Sequence, residues 1–238
     1  MLSGMIIKKM QQIASINGMN NYLERLEVLL DKQTIKSLKA KKVLICGVGG
    51  VGSFAAEALA RSGIGQIDIV DFDTINPSNL NRQLMTAKNN IGKKKVIVLK
   101  ERLENISDAK VNAYDTYIDK SFELKDYDYV IDCIDTLKSK FELVKKAHSK
   151  NIPIISCLGT AKRISSKGLS ITTLDKTKND PLAKAFRNLV KKENYKKKIK
   201  VVYIDAPYIK VEQLGSCIFS TGAAGLFIAE NVFKELIK

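Results

Sequence analysis

The chain is short of the side chains that most often carry nucleophilic and metal chemistry, with one histidine, His148, and four cysteines in 238 residues. That one histidine falls on a lysine-rich helix and reads as exposed, which argues against a histidine-based triad, and one histidine is too few for a histidine zinc site. Cys46, Cys133, Cys157 and Cys217 form no close pair, which excludes a disulfide framework and a Cys-x-x-Cys zinc site and fits a reducing, cytoplasmic compartment. No uncharged apolar run reaches the roughly 20 residues of a membrane span. The nearest, 218–233, is interrupted by Glu230 and Asn231 and reads as a packed C-terminal helix. The N-terminus, with Lys8 and Lys9 after a short apolar patch, shows no signal-peptide core. Acidic side chains are few as well. Forty basic against twenty-five acidic residues leave +15, which suits a polyanionic partner, nucleic acid first, or else a lysine-rich solvated surface.

Helical and extended patterns alternate along the chain, as in an α/β domain with a doubly wound, Rossmann-like, mostly parallel sheet and helices on both faces. Helix is expected over 20–40, 51–62, about 93–105 and up to about 149. Strands are expected at 43–46, 66–71, 110–115, 129–133 and 153–157. After that the pattern loosens into a strand at 168–174, a helix started by Asp180 as N-cap and Pro181 at its first position, and a strand at 200–204. The organisation expected is a helical segment over 1–40 packing on a nucleotide domain, a Rossmann-like ATP-binding domain over 41–160, and a substrate-facing α+β appendage with the C-terminal helix over 161–238.

The densest signal is the run Gly47-Val48-Gly49-Gly50-Val51-Gly52 after the apolar strand. Its glycines let the backbone turn tightly and point the next helix N-terminus at a phosphate. Nineteen residues after Gly52, Asp71 ends the second strand, where a carboxylate can take ribose hydroxyls. The glycines alone fit a dinucleotide as well as ATP. ATP chemistry needs cations on three phosphates and a carboxylate for Mg²⁺, and Arg82, Lys95 and Asp135 supply that set.

The glycine run, Asp71-Phe72-Asp73, Asn79-Leu80-Asn81-Arg82-Gln83, Gly92-Lys93-Lys94-Lys95 and Asp132-Cys133-Ile134-Asp135 together resemble the ubiquitin-activating-enzyme-like adenylating family over roughly residues 20–160. The stretch 50–65 and the later 175–183 are similar to its branch of tRNA threonylcarbamoyladenosine dehydratases. The resemblance implies ATP-dependent activation of the carboxylate of N6-threonylcarbamoyladenosine beside the tRNA anticodon, followed by ring closure with net loss of water. It implies Asp71 on the ribose, the amides around Gly49 and Gly50 on the phosphates, Arg82 and Lys95 as phosphate-binding catalytic cations, and Asp135 as the Mg²⁺ carboxylate. Asp73, Asn79 and Asn81 complete the polar wall, and Arg25 matches an arginine that reaches the neighbouring subunit's nucleotide, which implies a homodimer. A monovalent cation, potassium or sodium, and a sulfur-transfer protein stay open as further cofactor and partner.

Each side chain also has a plainer use. Asp73 or Asn79 can cap a turn, Lys94 can stand for Lys95 on a solvated face, Asp135 can cap the following helix, and Arg25 can pair with Glu24 or Glu27. Cys46 and Cys133, at strand ends, read as buried structural thiols, and His148 as exposed on a lysine-rich helix. Cys157 and Cys217 fall near the expected cleft with no basic partner beside them. The block Arg187, Lys191, Lys192, Lys196, Lys197, Lys198 and Lys200 suits an anticodon stem, with Tyr195 and Tyr203 as stacking residues, or is a mobile lysine tract. The family's zinc Cys-x-x-Cys pairs are missing, and 157–162 lacks the glycine-rich stretch expected of the dehydratase branch. Other functions open at this point are an adenylyltransferase for a ubiquitin-like or sulfur-carrier protein, a nicotinamide oxidoreductase, and a non-catalytic RNA-binding module.

Overall fold

The computed structural model describes residues 21–238, so the first half of the expected N-terminal segment, with Lys8 and Lys9, lies outside the described residues. The helix expected over 20–40 is two helices, α1 (Glu24–Glu27) and α2 (Lys32–Ala40). The break lies at Asp31, which takes an extended backbone and accepts the Thr34 N–H at 2.8 Å and the Thr34 hydroxyl at 2.9 Å. That is an N-cap, which starts α2 afresh after α1 has ended at its C-cap Val28.

The chain then alternates through β1 (Lys42–Cys46), α3 (Gly52–Arg61), β2 (Gln66–Val70), α4 (Lys95–Glu104), β3 (Lys110–Tyr114), β4 (Tyr129–Asp132), α5 (Leu137–Ser149) and β5 (Ile154–Cys157). The remainder is β6 (Leu169–Thr173), α6 (Pro181–Lys192), β7 (Lys200–Ile204) and α7 (Ile218–Leu236). One seven-stranded sheet holds all the strands in the order β3-β2-β1-β4-β5-β7-β6. Every neighbouring pair is parallel except β6 with β7. The residues expected as an appendage therefore extend the same sheet with two strands, and α7 returns to lie on α3. At that crossing a Cβ on Gly225 would stand 2.4 Å from the Val51 carbonyl oxygen, so glycine sets how closely the two helices approach.

Strand side chains alternate between faces, and β1 shows the division. Val43 and Ile45 pack with Leu59, Leu99 and Ile228 of α3, α4 and α7, while Leu44 and Cys46 pack with Phe141, Val144 and Phe186 of α5 and α6. Strand order reverses between β1 and β4, and in open α/β sheets ligands bind beyond the carboxyl ends at that reversal. The register makes those ends level: Cys46 lies opposite Val70 on one side and Asp132 on the other. Gly47, Asp71 and Cys133 therefore leave the sheet at the same height and open one crevice. Among the described residues no helix is long and apolar enough to cross a membrane.

Candidate active site

The crevice is a cavity of about 530 Å³ at the carboxyl ends of β1, β2, β4 and β5. Its floor is the glycine turn. Gly47 has φ +84°, and a Cβ there would stand 2.7 Å from the Cys133 carbonyl oxygen. A Cβ on Gly52 would stand 1.9 Å from the Gly47 carbonyl oxygen. These two positions need glycine so that the turn closes against β4 and itself. Gly47, Gly49 and Gly50 line the cavity, whereas Gly52 does not; it packs the turn against α3. No side chain caps the start of α3, which leaves that helix end open to an anion.

Asp71 stands beside the turn, its Oδ2 accepting the Val48 N–H at 2.8 Å and its Oδ1 accepting the Asp73 N–H at 2.9 Å. The carboxylate thus ties the glycine turn to the end of β2. Asp73 meets Lys95, whose Nζ donates to Oδ2 at 2.6 Å; the lysine side chain is 6% exposed and the aspartate 47%. Lys94 turns the other way, donating to the Phe72 carbonyl and to Asp115, both at 2.9 Å. Of the three successive lysines only Lys95 lines the cavity.

Arg82 lines the opposite wall, with Nη1 donating to the Ser78 carbonyl at 2.6 Å and to Asn81 Oδ1 at 3.1 Å. Asn81 itself is not in the lining. Its Nδ2 donates to the Ser216 carbonyl at 2.9 Å, so it holds Arg82 with one end and the segment before α7 with the other. Asn79 lines the cavity, yet its Oδ1 accepts the Asn76 N–H at 3.0 Å and closes the 3₁₀ turn Pro77–Asn79. The turn-capping use read from sequence is present there, and the amide NH₂ remains for a ligand. Asp135 is exposed in the lining, and the residue capping α5 is Thr136, whose hydroxyl donates to Asp135 Oδ1 at 3.3 Å. Asp135 is therefore not a helix cap.

Arg25 is not brought to this cavity. Two residues before it, Leu23 packs on Gly63, just beyond the C-terminal end of α3, about 15 Å along the helix from the cavity. Its expected pairing with Glu24 or Glu27 is not formed among the described residues; Glu27 instead accepts from Asn21 at 2.5 Å.

Burial disfavours ionisation of the thiols at the cavity wall. Cys133 and Cys157 line the cavity wall with buried sulfurs, and burial pushes the Cys157 thiol up to about 12 and raises Cys133 and Cys46 as well. Such cysteines are poor nucleophiles near neutral pH. Cys217 starts α7, its carbonyl accepting the Thr221 N–H and hydroxyl at 3.1 Å. His148 is half-buried, away from the exposed position read from sequence. Its Nδ1 lies 2.5 Å from the Tyr195 hydroxyl, and burial lowers its pKa.

Several lining residues escaped the sequence reading. Gln83 is 6% exposed with its Oε1 buried and unpartnered, and Ser139 Oγ is likewise unpartnered in the wall. Gln83 follows Arg82 in the same motif, which was the available signal; Ser139 has none. Phe72 and Tyr117 form an edge-to-face pair at 5.1 Å on the rim. Beneath the wall, Lys140 donates to Asp132 Oδ2 at 2.8 Å and to the Cys157 carbonyl at 3.0 Å, with both side chains fully buried.

Comparison with known proteins agrees with this geometry. The model of the ThiF family matches residues 22–225. The chain is 38% identical over 244 aligned residues to the tRNA threonylcarbamoyladenosine dehydratase of Bacillus subtilis, over 92% of this chain and 96% of that protein. It is 32% identical to the protein of the same name from Haemophilus influenzae, over 88% and 91%. Among solved structures it is similar to Escherichia coli tRNA N6-threonylcarbamoyladenosine dehydratase, TcdA, in complex with AMP, with a TM-score of 0.83, 28% identity, and 89% and 92% of the two chains covered. The complex of the same enzyme with ATP gives a TM-score of 0.79 at 28% identity, over 89% and 91%. The chain belongs to the ThiF family and, within it, to the tRNA threonylcarbamoyladenosine dehydratases.

Proposed function

We propose that this protein uses ATP to dehydrate N6-threonylcarbamoyladenosine beside the anticodon of tRNA, closing a ring in the modification. The observation that carries the reading is the set around the cavity: two cations, Arg82 and Lys95, and two exposed carboxylates, Asp73 and Asp135, stand around a glycine turn, while burial disfavours ionisation of the wall thiols Cys133 and Cys157. Such a site activates a carboxylate without a covalent enzyme intermediate, which suits capture of the activated group by an atom of the substrate itself.

A carboxylate is a poor electrophile, and phosphate repels it. In this reading an oxygen of the substrate carboxylate attacks a phosphorus of ATP and a P–O bond of the phosphate chain breaks, releasing pyrophosphate from the α-phosphorus or ADP from the γ-phosphorus; Arg82 offers a forked contact to the phosphate oxygens, and Lys95 offers a point charge. Asp73 holds the Lys95 ammonium in place. A nitrogen of the modification then attacks the activated carbonyl carbon and gives up its proton to solvent, and the C–O bond breaks with the oxygen leaving on phosphorus. Both partners of the second step belong to one molecule, so its entropy cost is largely met in advance.

Asp71 and the turn amides would hold ribose and phosphates. The donor set suits Mg²⁺, which keeps several waters and takes one or two carboxylates beside phosphate oxygens; Asp135 would hold it, and it would supply charge neutralisation on the phosphates. Because Arg25 lies at the far end of α3 from its own cavity, we read it as reaching the nucleotide of a second copy, in a homodimer. A tRNA substrate, in this reading, goes with a cytoplasmic setting.

The test is nucleoside mass spectrometry of tRNA carrying threonylcarbamoyladenosine after incubation with the protein, Mg²⁺ and ATP. A nucleoside lighter by one water, formed only with ATP, supports the reading. No mass change with tRNA and ATP both bound would overturn it, and pyrophosphate exchange driven by a ubiquitin-like protein would put an adenylyltransferase in its place.

A further inference from the structure

Charge is divided unevenly between the two helical layers. Residues 137–200 hold eighteen basic and four acidic side chains, +14 of the chain's +15. On the opposite layer the cations are interleaved with acids: Glu57 pairs with Arg61 and Arg102, Glu104 with Lys100, and Glu230 with Lys234. On the α5–α6 layer, ion pairs hold Lys145 and Lys150, and Lys200 of β7 turns to the other layer, where it pairs with Glu235 of α7. Lys138 and Lys184, together with Lys191, Lys192 and Lys196 to Lys198, are exposed, and none has an acidic partner among the described residues.

These lysines have a fixed layout. Thr136 and Ser139 at the start of α5 and Leu182 at the start of α6 line the cavity, so both helices run outward from its wall with Lys138 and Lys184 at the near end. At the far end, about 18 Å along α6, lie Lys191 and Lys192. The segment after them, for which a mobile tract was one of two readings from sequence, is clasped onto α5. Tyr195 stands edge-on to Phe141 at 5.4 Å and parallel to His148 at 5.9 Å, and Lys197 Nζ donates to the His148 carbonyl at 2.9 Å. The clasp holds Lys196 to Lys198 beside Lys191 and Lys192. It also removes two sequence expectations, because Tyr195 is engaged and Tyr203 is 4% exposed inside β7, so neither is free to stack on a base. Arg187 is engaged too, donating to the Thr177 carbonyl and hydroxyl.

We infer that the α5–α6 face and the clasped 193–198 segment form the docking track for the phosphate backbone of a structured RNA whose terminal loop enters the cavity. The inference rests on the proposed dehydration of a tRNA nucleoside. Unpaired like charges held together repel one another; a phosphate backbone relieves that repulsion and gains the entropy of released counterions. The track starts at the cavity wall, so a stem laid along it points its loop at the glycine turn. Tyr195 acts on RNA only through the lysines it positions.

Binding of an anticodon stem-loop RNA, followed by fluorescence anisotropy across a salt series, tests this with a variant carrying Lys191→Gln, Lys192→Gln, Lys196→Gln, Lys197→Gln and Lys198→Gln. The slope of log affinity against log salt is expected to shrink by about 3.5–4.5, from roughly 0.7–0.9 per lost phosphate contact, with affinity down at least about tenfold at moderate salt and ATP binding unchanged. Tyr195→Ala, which alters no charge, is expected to weaken RNA binding in the same direction and leave ATP binding intact. A control variant on α2, Lys32→Gln, Lys36→Gln and Lys39→Gln, is expected to bind RNA within about twofold of the parent. Parent-like affinity and slope in the five-lysine variant would overturn the inference and leave the face to an acidic protein, as would an equal loss in the α2 control. Turnover of threonylcarbamoyladenosine tRNA by the parent keeps the two claims apart. Parent turnover with unaltered RNA binding in the variant defeats the track alone, and no parent turnover defeats the reading beneath it.

Discussion

Asp73–Lys95 and Asp132–Lys140 are built from the same two side chains at similar separations, 2.6 and 2.8 Å, on two sides of one cavity. They differ in what surrounds them. Lys140 and Asp132 are fully buried and their remaining capacity is spent on backbone: the lysine donates to the Cys157 carbonyl, and Asp132 Oδ1 accepts the Ile134 N–H at 3.0 Å. That pair bolts the ends of β4 and β5 together and shapes the turn that carries Asp135. Lys95 is buried too, but its partner Asp73 is half open to the cavity, so an arriving phosphate can compete for the ammonium. One pair is closed by backbone partners, and the other faces the cavity through Asp73.

The contrast predicts separable losses. Lys140→Met leaves Asp132 buried without its partner, which costs about 3–5 kcal/mol, and the melting temperature is expected to fall by roughly 10 °C. Replacing both, Asp132→Leu with Lys140→Met, is expected to recover most of that loss, because two apolar groups leave no orphaned charge. Calorimetry on the single and double variants checks this.

Lys95→Met should do the reverse. The melting temperature is expected to move by a degree or two, since the partner Asp73 can be hydrated, while the ATP-dependent loss of water from tRNA slows by about 10²–10³. Lys94→Ala, one residue earlier on the solvent side, is expected to leave both quantities near the parent's. A Lys94 variant as inactive as the Lys95 variant would erase the distinction drawn between them.

Asp135→Asn should keep the fold and raise the Mg²⁺ concentration needed for half-maximal activity by at least about tenfold, read from a Mg²⁺ titration at fixed ATP. The smallest effect is expected at His148. Burial, then Lys197, holds its folded pKa below 6.5, so the unfolded chain takes up a proton more readily. Stability is therefore complete above pH 6.5 and falls as pH drops through that value. His148→Gln should flatten this decline in denaturant midpoints measured across the interval.

The parallel sheet and the glycine turn were legible because short apolar strands broken by glycine have few other uses, and the strand at 200–204 was read at its observed bounds. The split between α1 and α2 was written in Asp31 and Thr34 but hidden by helical periodicity running through both segments. Roles set by distant chain were not legible. Lys140 reads as one more surface lysine on a lysine-rich helix, and only the fold puts Asp132 and the Cys157 carbonyl around it. Asn81 and Gly52 sat in the right motifs, yet their side-chain and packing contacts point away from the cavity lining. Tyr203 looked free until β6 paired against it at Ser170.

In the proposed reaction ATP accepts an oxygen from the substrate carboxylate. A heavy-oxygen label placed in that carboxylate of threonylcarbamoyladenosine tRNA, followed through one turnover by mass spectrometry, reports that transfer. The label is expected in the phosphorus-containing product derived from ATP, with none in bulk water. Label released as water, with the phosphorus product unlabelled, would contradict it.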